Sequence, residues 1–221
     1  MPAKLLDPFL VVCSLGGVAL LLALVRRIHH ARPLSPFHLR KLLHALIGAL
    51  TLLMTGLFHS RWWALVPPVL FTGVNFSGRL RGFLPDLAAD SKAGRGLWMF
   101  PLGVVLVYLA FWDNGDRGPV LAGCAALGLA DPAAALIGSK WGQRRYAGWG
   151  FGRTLEGSLA FLLVAGVAGG LVAAWSPGGV SPLRAGVCCG ALGALAEALS
   201  PHGWDNVTTP LVVAAAYRFL G

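Results

Sequence analysis

The sequence predicts an all-α protein that crosses a membrane several times. Three observations support this: hydrophobic residues make up 56% of the 221 residues, charged residues only 12%, and the mean hydropathy is +0.69. Soluble domains contain roughly 25% charged residues. A helix that crosses a bilayer needs about 20 mostly apolar residues, and apolar runs of about that length recur along the chain.

About eight such runs (seven to nine) follow one another along the chain, several of them short or interrupted by Pro and Gly. They lie near residues 8–25, 42–58, 62–76, 96–112, 118–137, 155–175, 184–199 and 207–220. The first resembles a signal peptide, but it is long, ends in Arg26 and Arg27 and lacks an evident small-residue cleavage site. We interpret it as a span and expect a single membrane-embedded domain over residues 1–221.

The positive charge predicts the orientation of the chain. A net charge of +9 would suggest nucleic acid as a partner of a soluble protein, but here the cations lie in alternate loops, so we expect no nucleic-acid partner. The positive-inside rule predicts that the first, third and fifth loops are cytoplasmic, because they contain Arg26, Arg27, Arg32, Arg40, Lys41, Arg79, Arg81, Lys92, Arg95, Lys140, Arg144, Arg145 and Arg153. Both termini then face outside, and residues 200–206 lie inside.

Four of the nine acidic residues fall in or beside spans at this predicted cytoplasmic end: Asp131, Glu156, Glu197 and Asp205. An ionisable group within a span costs about 2.5–3.5 kcal/mol on insertion scales, so it usually faces a cavity or a partner. Asp131 therefore requires a cation. Glu197 lies in the last turn of its helix, where the helix dipole disfavours negative charge, and it requires a metal or an arginine.

Stabilisation of a helix N-terminus is the alternative interpretation of Asp131, Glu156 and Asp205. Asp131 precedes Pro132 and would cap a half-helix over residues 132–138. Glu156 would be stabilised in the first turn of its helix, and Asp205 or Asn206 would cap the last helix. Capping does not exclude metal binding at the same residues.

Between Asp131 and Glu156 lies a basic, glycine-rich loop, GSKWGQRRYAGWGFGRT. Glycine N–H groups can surround anionic oxygens, a following helix N-terminus adds its dipole, and arginines form forked contacts. The loop therefore predicts phosphate binding, with contact to lipid headgroups as the alternative. Lys41 and His44, three residues apart on one helix face, predict either positioning of a lipid substrate or phosphate, or simple headgroup contacts.

Taken in order, these elements resemble the CTP-dependent polyprenol kinases, which include dolichol kinase, phytol kinase and the yeast-type diacylglycerol kinase. The matching segments are RKLLH at 40–44, ADPAAALIGSKWG at 130–142, GRTLEGS at 152–158 and EALSPHGWDNVTTP at 197–210. The family usually has Gly and Lys where this chain has Ala130 and Arg153. CDP-diacylglycerol synthases are similar over residues 131–158, but their C-terminal signature is absent here. A phosphatidate cytidylyltransferase and a nonenzymatic lipid transporter remain the alternatives.

The resemblance implies transfer of the γ-phosphoryl group of CTP to the hydroxyl of a membrane lipid alcohol, at the cytoplasmic face and with Mg²⁺ or another divalent cation. The alcohol would be a polyprenol, a phytol-like isoprenoid alcohol or diacylglycerol. Asp131 or Glu197 would accept the hydroxyl proton. The implied metal ligands or their supports are Asp131, Glu156 and Asp205. The implied nucleotide contacts are Lys140, Arg144, Arg145, Gly152, Arg153, Thr154 and Asn206.

Overall fold

A computed structural model describes residues 3–78, 94–146, 152–201 and 203–221. These residues form helices α1 (Ala3–Ala31), α2 (Pro36–Leu57), α3 (Arg61–Phe76), α4 (Gly94–Phe111), α5 (Gly118–Ala125), α6 (Asp131–Trp141), α7 (Leu155–Trp175), α8 (Pro182–Leu199) and α9 (Asp205–Leu220). A π-helical segment, Ala126–Ala130, joins α5 to α6. Within the described ranges the β-structure is a single bridge between Arg145 and Thr154. The all-α prediction is confirmed.

Within the described part of the chain, five helical segments are long and apolar enough to cross a membrane: Leu5–Ala31, Pro36–Leu57, Gly118–Trp141, Leu155–Trp175 and Pro182–Leu199. The remaining predicted runs coincide with α3, α4 and α9. Helices α3 and α9 have 16 residues each, and such a helix is about 24 Å long, less than the roughly 30 Å hydrocarbon core of a bilayer. The prediction of a polytopic membrane protein with some short helices is confirmed.

The rod that contains Asp131 is continuous, which contradicts the alternative of a half-helix beginning at Pro132. Helix α5, the π-helical segment and α6 follow one another without a break. Pro132, which has no N–H to donate, lies directly after the π-helical segment, where the regular α-helical hydrogen-bond pattern is already altered. Single π-helical turns within α-helices occur frequently at functional sites, and this one ends immediately before Asp131.

Close approach of glycine backbones sets the distance between α2 and this rod. Gly48 of α2 packs on Gly128 of the π-helical segment, and a Cβ atom added to Gly128 would lie 2.7 Å from the Cα of Gly48. Small residues allow such close helix packing in membranes. Gly48 lies one turn beyond His44, and Gly128 lies one turn before Asp131. The contact therefore brings the start of α2 within reach of Asp131.

The bundle has two distinct ends. At one of them, here called the polar end, residues that begin α2, α7 and α9 contact residues of α6 and the end of α8. At the opposite end, the Asp7 carboxylate accepts hydrogen bonds from the backbone N–H groups of His59 and Ser60. The segments before α2 and before α7 thus lie at one end of the bundle and the turn after α2 lies at the other, which agrees with the predicted alternation of the loops between two sides. Arg79, Arg81 and Lys92 of the predicted third loop lie outside the described residues.

Candidate active site

Asp131 is paired with two residues of α2. Lys41 Nζ lies 2.8 Å from Asp131 Oδ2, and His44 Nε2 lies 3.5 Å from the same oxygen. His44 Nε2 is also 2.8 Å from the carbonyl oxygen of Leu127 in the π-helical segment. Asp131 is only 8% exposed, and Lys41 supplies the cation that the sequence predicted for it. Because the helix runs through residue 131, there is no helix start at this position for the carboxylate to cap.

Arg153 connects three helices at the polar end. Its guanidinium forms an ion pair with Glu197 at the end of α8. It forms a second ion pair with Asp205 at the start of α9, where Arg153 Nη2 lies 3.1 Å from Asp205 Oδ2. Nη2 also donates to the carbonyl of Ser200 at 3.2 Å. The sequence predicted that Glu197 requires a metal or an arginine, and the arginine is present. Arg153 is therefore already balanced by two carboxylates.

Asp205 carries an unfavourable charge in this environment. Burial raises the pKa of the Asp205 carboxyl, and the nearby charge of Asp131 raises it further, while Arg153 acts in the opposite direction. Asp205 is the first residue of α9, and Trp204 holds the cap position that the sequence assigned to Asp205 or Asn206. The Asp205 Oδ1 accepts a hydrogen bond from the backbone N–H of Asn206 at 3.0 Å.

A cavity of about 800 Å³ brings most of the predicted site residues together. Arg40, a member of the RKLLH segment for which the sequence gave no individual role, also lines its polar end. From there the cavity continues between α1, α2, α3 and α4 toward the opposite end of the bundle. The predicted site residues in its wall are Lys41, His44, Asp131, Arg145, Gly152, Arg153, Thr154, Glu197, Asp205 and Asn206. The predicted convergence of carboxylates and cations is thus present for these residues.

Three predicted residues lie outside the cavity wall. Glu156 Oε2 accepts hydrogen bonds from the backbone N–H groups of Gln143 and Arg144, at 3.2 and 3.4 Å. Lys140 is exposed, with Nζ 4.5 Å from the centroid of the Trp141 ring, and Arg144 is exposed as well. Metal binding by Glu156 and phosphate binding by Lys140 and Arg144 therefore stay predictions.

The glycine-rich loop turns back on itself before α7. Tyr146 N donates to Arg153 O at 3.4 Å, and Leu155 N donates to Arg144 O at 3.0 Å. Residues 147–151, which include two of the predicted phosphate-binding glycines, lie outside the described residues. Gly152 has a φ of +92°, a conformation that favours glycine. It lines the cavity, and a Cβ atom added there would meet no atom within 4 Å.

Other glycines of the same motifs accommodate Thr154, a role that the sequence analysis missed. Thr154 is 5% exposed, and its Oγ1 accepts a hydrogen bond from Gly157 N at 3.1 Å, which caps α7. A Cβ atom at Gly138 would lie 2.8 Å from this Oγ1. The spacing of Gly138 in α6 and Gly142 directly after its end was the available signal, because glycines four residues apart leave one side of the helix end free for close packing.

Ser158 is a second residue whose contacts the sequence analysis did not identify. It lies one turn beyond Thr154 in the GRTLEGS segment. Its hydroxyl lies 2.7 Å from the Tyr146 hydroxyl and donates to Glu197 Oε2 at 3.4 Å. Ser158 therefore connects the basic loop to the carboxylate that Arg153 holds.

Comparison with known proteins gives one informative similarity. No family model matches the chain. No solved structure shows significant similarity to it either. The chain is 29% identical over 217 residues to the phytol kinase of Synechocystis sp., an alignment that covers 94% of this chain and 90% of that protein. This similarity over nearly the full length of both proteins supports the resemblance of the motifs to the polyprenol and phytol kinase-like proteins.

Proposed function

We propose that the protein is a CTP-dependent kinase that transfers the γ-phosphoryl group to the hydroxyl of a membrane lipid alcohol at the cytoplasmic face. The observation that carries this proposal is the cavity, which has cations and carboxylates at one end and mostly apolar side chains along the rest of its length. A charged nucleotide and an alcohol with an apolar chain are complementary to these two parts. The similarity to a protein named for phosphorylating phytol favours the same kind of acceptor.

Arg40 and Arg145 are the residues best placed to bind the nucleotide phosphates. Both line the polar end of the cavity, and arginines bind phosphate oxygens through two parallel hydrogen bonds. Phosphoryl transfer depends mainly on positioning the substrates and neutralising their charge. Arg153 contributes less positive charge to the nucleotide, since Glu197 and Asp205 already balance it. We assign Arg153 the role of holding these carboxylates at the cavity wall.

The carboxylates at the polar end fit a magnesium ion that arrives with the nucleotide. Mg²⁺ is commonly held by one or two protein carboxylates and completes its shell with water and substrate phosphates. Among the described residues no three His, Cys, Asp or Glu side chains form a metal-binding group. Asp205 would hold the ion and Asp131 would support it through its negative charge, and the ion would neutralise phosphate charge when bound. The negative charge of Asp131 raises the pKa of the Asp205 carboxyl, and a cation near both carboxylates would oppose this effect.

Asp131 is the better candidate for accepting the proton of the acceptor. In the proposed reaction the lipid hydroxyl oxygen forms a bond to the γ-phosphorus, the bond from that phosphorus to the CDP oxygen breaks, and the hydroxyl proton passes to a carboxylate. The contacts of Lys41 and His44 both involve Asp131 Oδ2 and leave Oδ1 for this role. Both oxygens of Glu197 are engaged, one by Arg153 and one by Ser158.

The test uses purified protein with Mg²⁺ and CTP that carries distinguishable labels on its α and γ phosphates. Lipid alcohols and phosphatidate are supplied in separate reactions, and Asp131→Asn serves as the inactive control. We expect the γ label in the alcohol. Appearance of the α label in lipid, with release of pyrophosphate, would instead establish a cytidylyltransferase. Transfer of neither label would contradict both enzymatic assignments and favour a transporter.

A further inference from the structure

The apolar part of the cavity, here called the apolar arm, runs most of the length of α2. It begins beside His44, whose ring packs edge-on against Phe100 with centroids 4.4 Å apart. Leu50 and Met54 of α2 line its middle. It ends at Phe58, Ala64 and Tyr108. The arm therefore leads away from the carboxylates along a path shaped for an extended chain.

The far end of the apolar arm is closed by packed side chains. Phe58 and Ala64 are each 1% exposed and Tyr108 is 2% exposed. The Tyr108 hydroxyl is hydrogen bonded to the Thr55 hydroxyl, which fixes the ring across the end of the arm. All three residues belong to one buried cluster that also contains Val107. A chain that reaches this end therefore meets a closely packed core.

The length of the arm can be compared with that of a lipid chain. Fourteen residue steps separate His44 from Phe58, and at the helical rise this corresponds to about 21 Å. With C–C bonds of about 1.5 Å, an extended zigzag chain advances about 1.3 Å per carbon, so the arm accommodates roughly 16 carbons. This equals the main chain of a twenty-carbon isoprenoid alcohol such as phytol or geranylgeraniol. Undecaprenol and dolichol are far longer.

Selection among acceptors must come from this closed end. The walls of the arm are mostly apolar, with Ser14, Thr51 and Asn75 as polar exceptions. Lipid tails in the bilayer are as apolar as these walls, so moving a longer chain from the bilayer into the arm provides little net driving force. Overpacking of a well-packed core, in contrast, is unfavourable because side chains must leave their preferred rotamers. The closed end can therefore discriminate by size where the walls cannot.

We propose that Phe58, Ala64 and Tyr108 set the maximum chain length of the acceptor, a lipid alcohol with roughly 16 main-chain carbons. This inference rests on the proposed function, because it concerns the acceptor of the same cavity. These residues do not touch the reacting atoms. They determine specificity by limiting how far the chain extends while its hydroxyl lies near Asp131.

The experiment compares geraniol, farnesol, geranylgeraniol and undecaprenol at equal mole fraction in detergent micelles. Ala64→Leu shortens the arm and Phe58→Ala lengthens it. Matched controls place the same changes at exposed positions, Ala110→Leu on α4 and Phe9→Ala on α1. Two quantities are measured for each alcohol: transfer of the γ label from CTP, and the shift in Tm that the alcohol produces without nucleotide.

We expect wild-type protein to use geranylgeraniol about tenfold better than undecaprenol. Ala64→Leu should reduce kcat/KM for geranylgeraniol about tenfold while leaving that for geraniol unchanged, and Phe58→Ala should raise activity with undecaprenol relative to geranylgeraniol. If Phe58→Ala does not fold, Phe58→Leu makes a smaller opening at the same position. Both control variants should keep the wild-type profile.

The two readouts separate this inference from the proposed function. Identical chain-length profiles for wild type, Ala64→Leu and the Phe58 variant would overturn the role of the closed end, whether or not label is transferred. The Tm shift should be largest with geranylgeraniol. If this is observed but no label reaches any alcohol, the recognition of the chain stands and the proposed kinase activity fails. Absence of both effects overturns both.

Discussion

Lys41 and Asp131 are 90 positions apart in the chain, yet Lys41 Nζ lies 2.8 Å from Asp131 Oδ2. The pair joins the start of α2 to the first residue after the π-helical segment. Buried ion pairs contribute little net stability, because removing both charges from water offsets their attraction. A pair that lies in a cavity wall is therefore better explained by binding of a charged ligand than by stabilisation of the bundle.

Asp131→Asn should abolish most of the activity while the protein stays folded. Asparagine keeps the shape of the side chain but removes the negative charge that would support the metal and accept the proton. Loss of one such electrostatic contribution lowers kcat by roughly a hundredfold or more. The measurement is γ-label transfer together with Tm in detergent. The Lys41 side chain is 20% exposed, so water in the cavity can solvate it, and a drop in Tm of only a few degrees is expected. Retention of full activity would refute the role of Asp131.

Arg153→Ala should destabilise the protein more than Asp131→Asn does. The substitution leaves Glu197 and Asp205 without their shared cation, and breaking a buried ion pair costs about 3–5 kcal/mol. Arg153→Lys restores one positive charge but not the forked geometry, so its Tm should lie between those of wild type and Arg153→Ala. Equal Tm values for the three proteins would show that the guanidinium contacts do not stabilise the polar end.

Arg145→Ala should weaken nucleotide binding without affecting stability. Arg145 lines the cavity and its side chain is exposed, so its removal leaves no buried carboxylate unpaired. We expect the KM for CTP to rise about tenfold, as for loss of a charge-assisted hydrogen bond worth roughly 1.5 kcal/mol. Arg27→Ala is the matched control, because Arg27 is exposed, belongs to the same predicted cytoplasmic side and lies outside the cavity wall. An equal rise in KM for both variants would indicate general electrostatic attraction rather than a specific contact.

The sequence predicted which charged residues form the site but not all of the ion pairs between them. The position of Asp131 within an apolar run predicted a cationic partner, yet Lys41 could not be identified, because their pairing depends on how α2 packs against a distant helix. Glu197 at a helix C-terminus predicted an arginine or a metal for a local electrostatic reason, and that prediction succeeded. No sequence pattern distinguishes the π-helical segment from a regular α-helix. Likewise, no pattern identifies Gly48 and Gly128 as the glycines that come into contact.

The predicted membrane orientation has a direct test. Reporter or cysteine-labelling tags at residues 140 and 203 should report the same side of the bilayer, since the positive-inside rule places both loops in the cytoplasm. Tags in the turn around residue 114 should report the opposite side. If residues 140 and 203 lay on opposite sides, Arg153 could not contact Asp205 across the polar end, and both the site and its orientation would be wrong.

Gly48→Ala should impair activity by separating α2 from the π-helical segment. A Cβ atom at Gly48 would overlap the Gly128 backbone, so α2 must shift, and Lys41 and His44 would move away from Asp131. Overpacking of this kind costs about 1–3 kcal/mol. We expect a lower Tm and a loss of most of the γ-label transfer.

Gly56→Ala is the matched control for this substitution. Gly56 lies on the same helix, and a Cβ atom there meets no atom within 4 Å. Alanine at an unhindered helix position is favoured over glycine by about 0.5–1 kcal/mol, so this variant should keep its activity and match or exceed the wild-type Tm. If Gly48→Ala behaved like Gly56→Ala, close contact between the two glycine backbones would not be what positions Lys41 against Asp131.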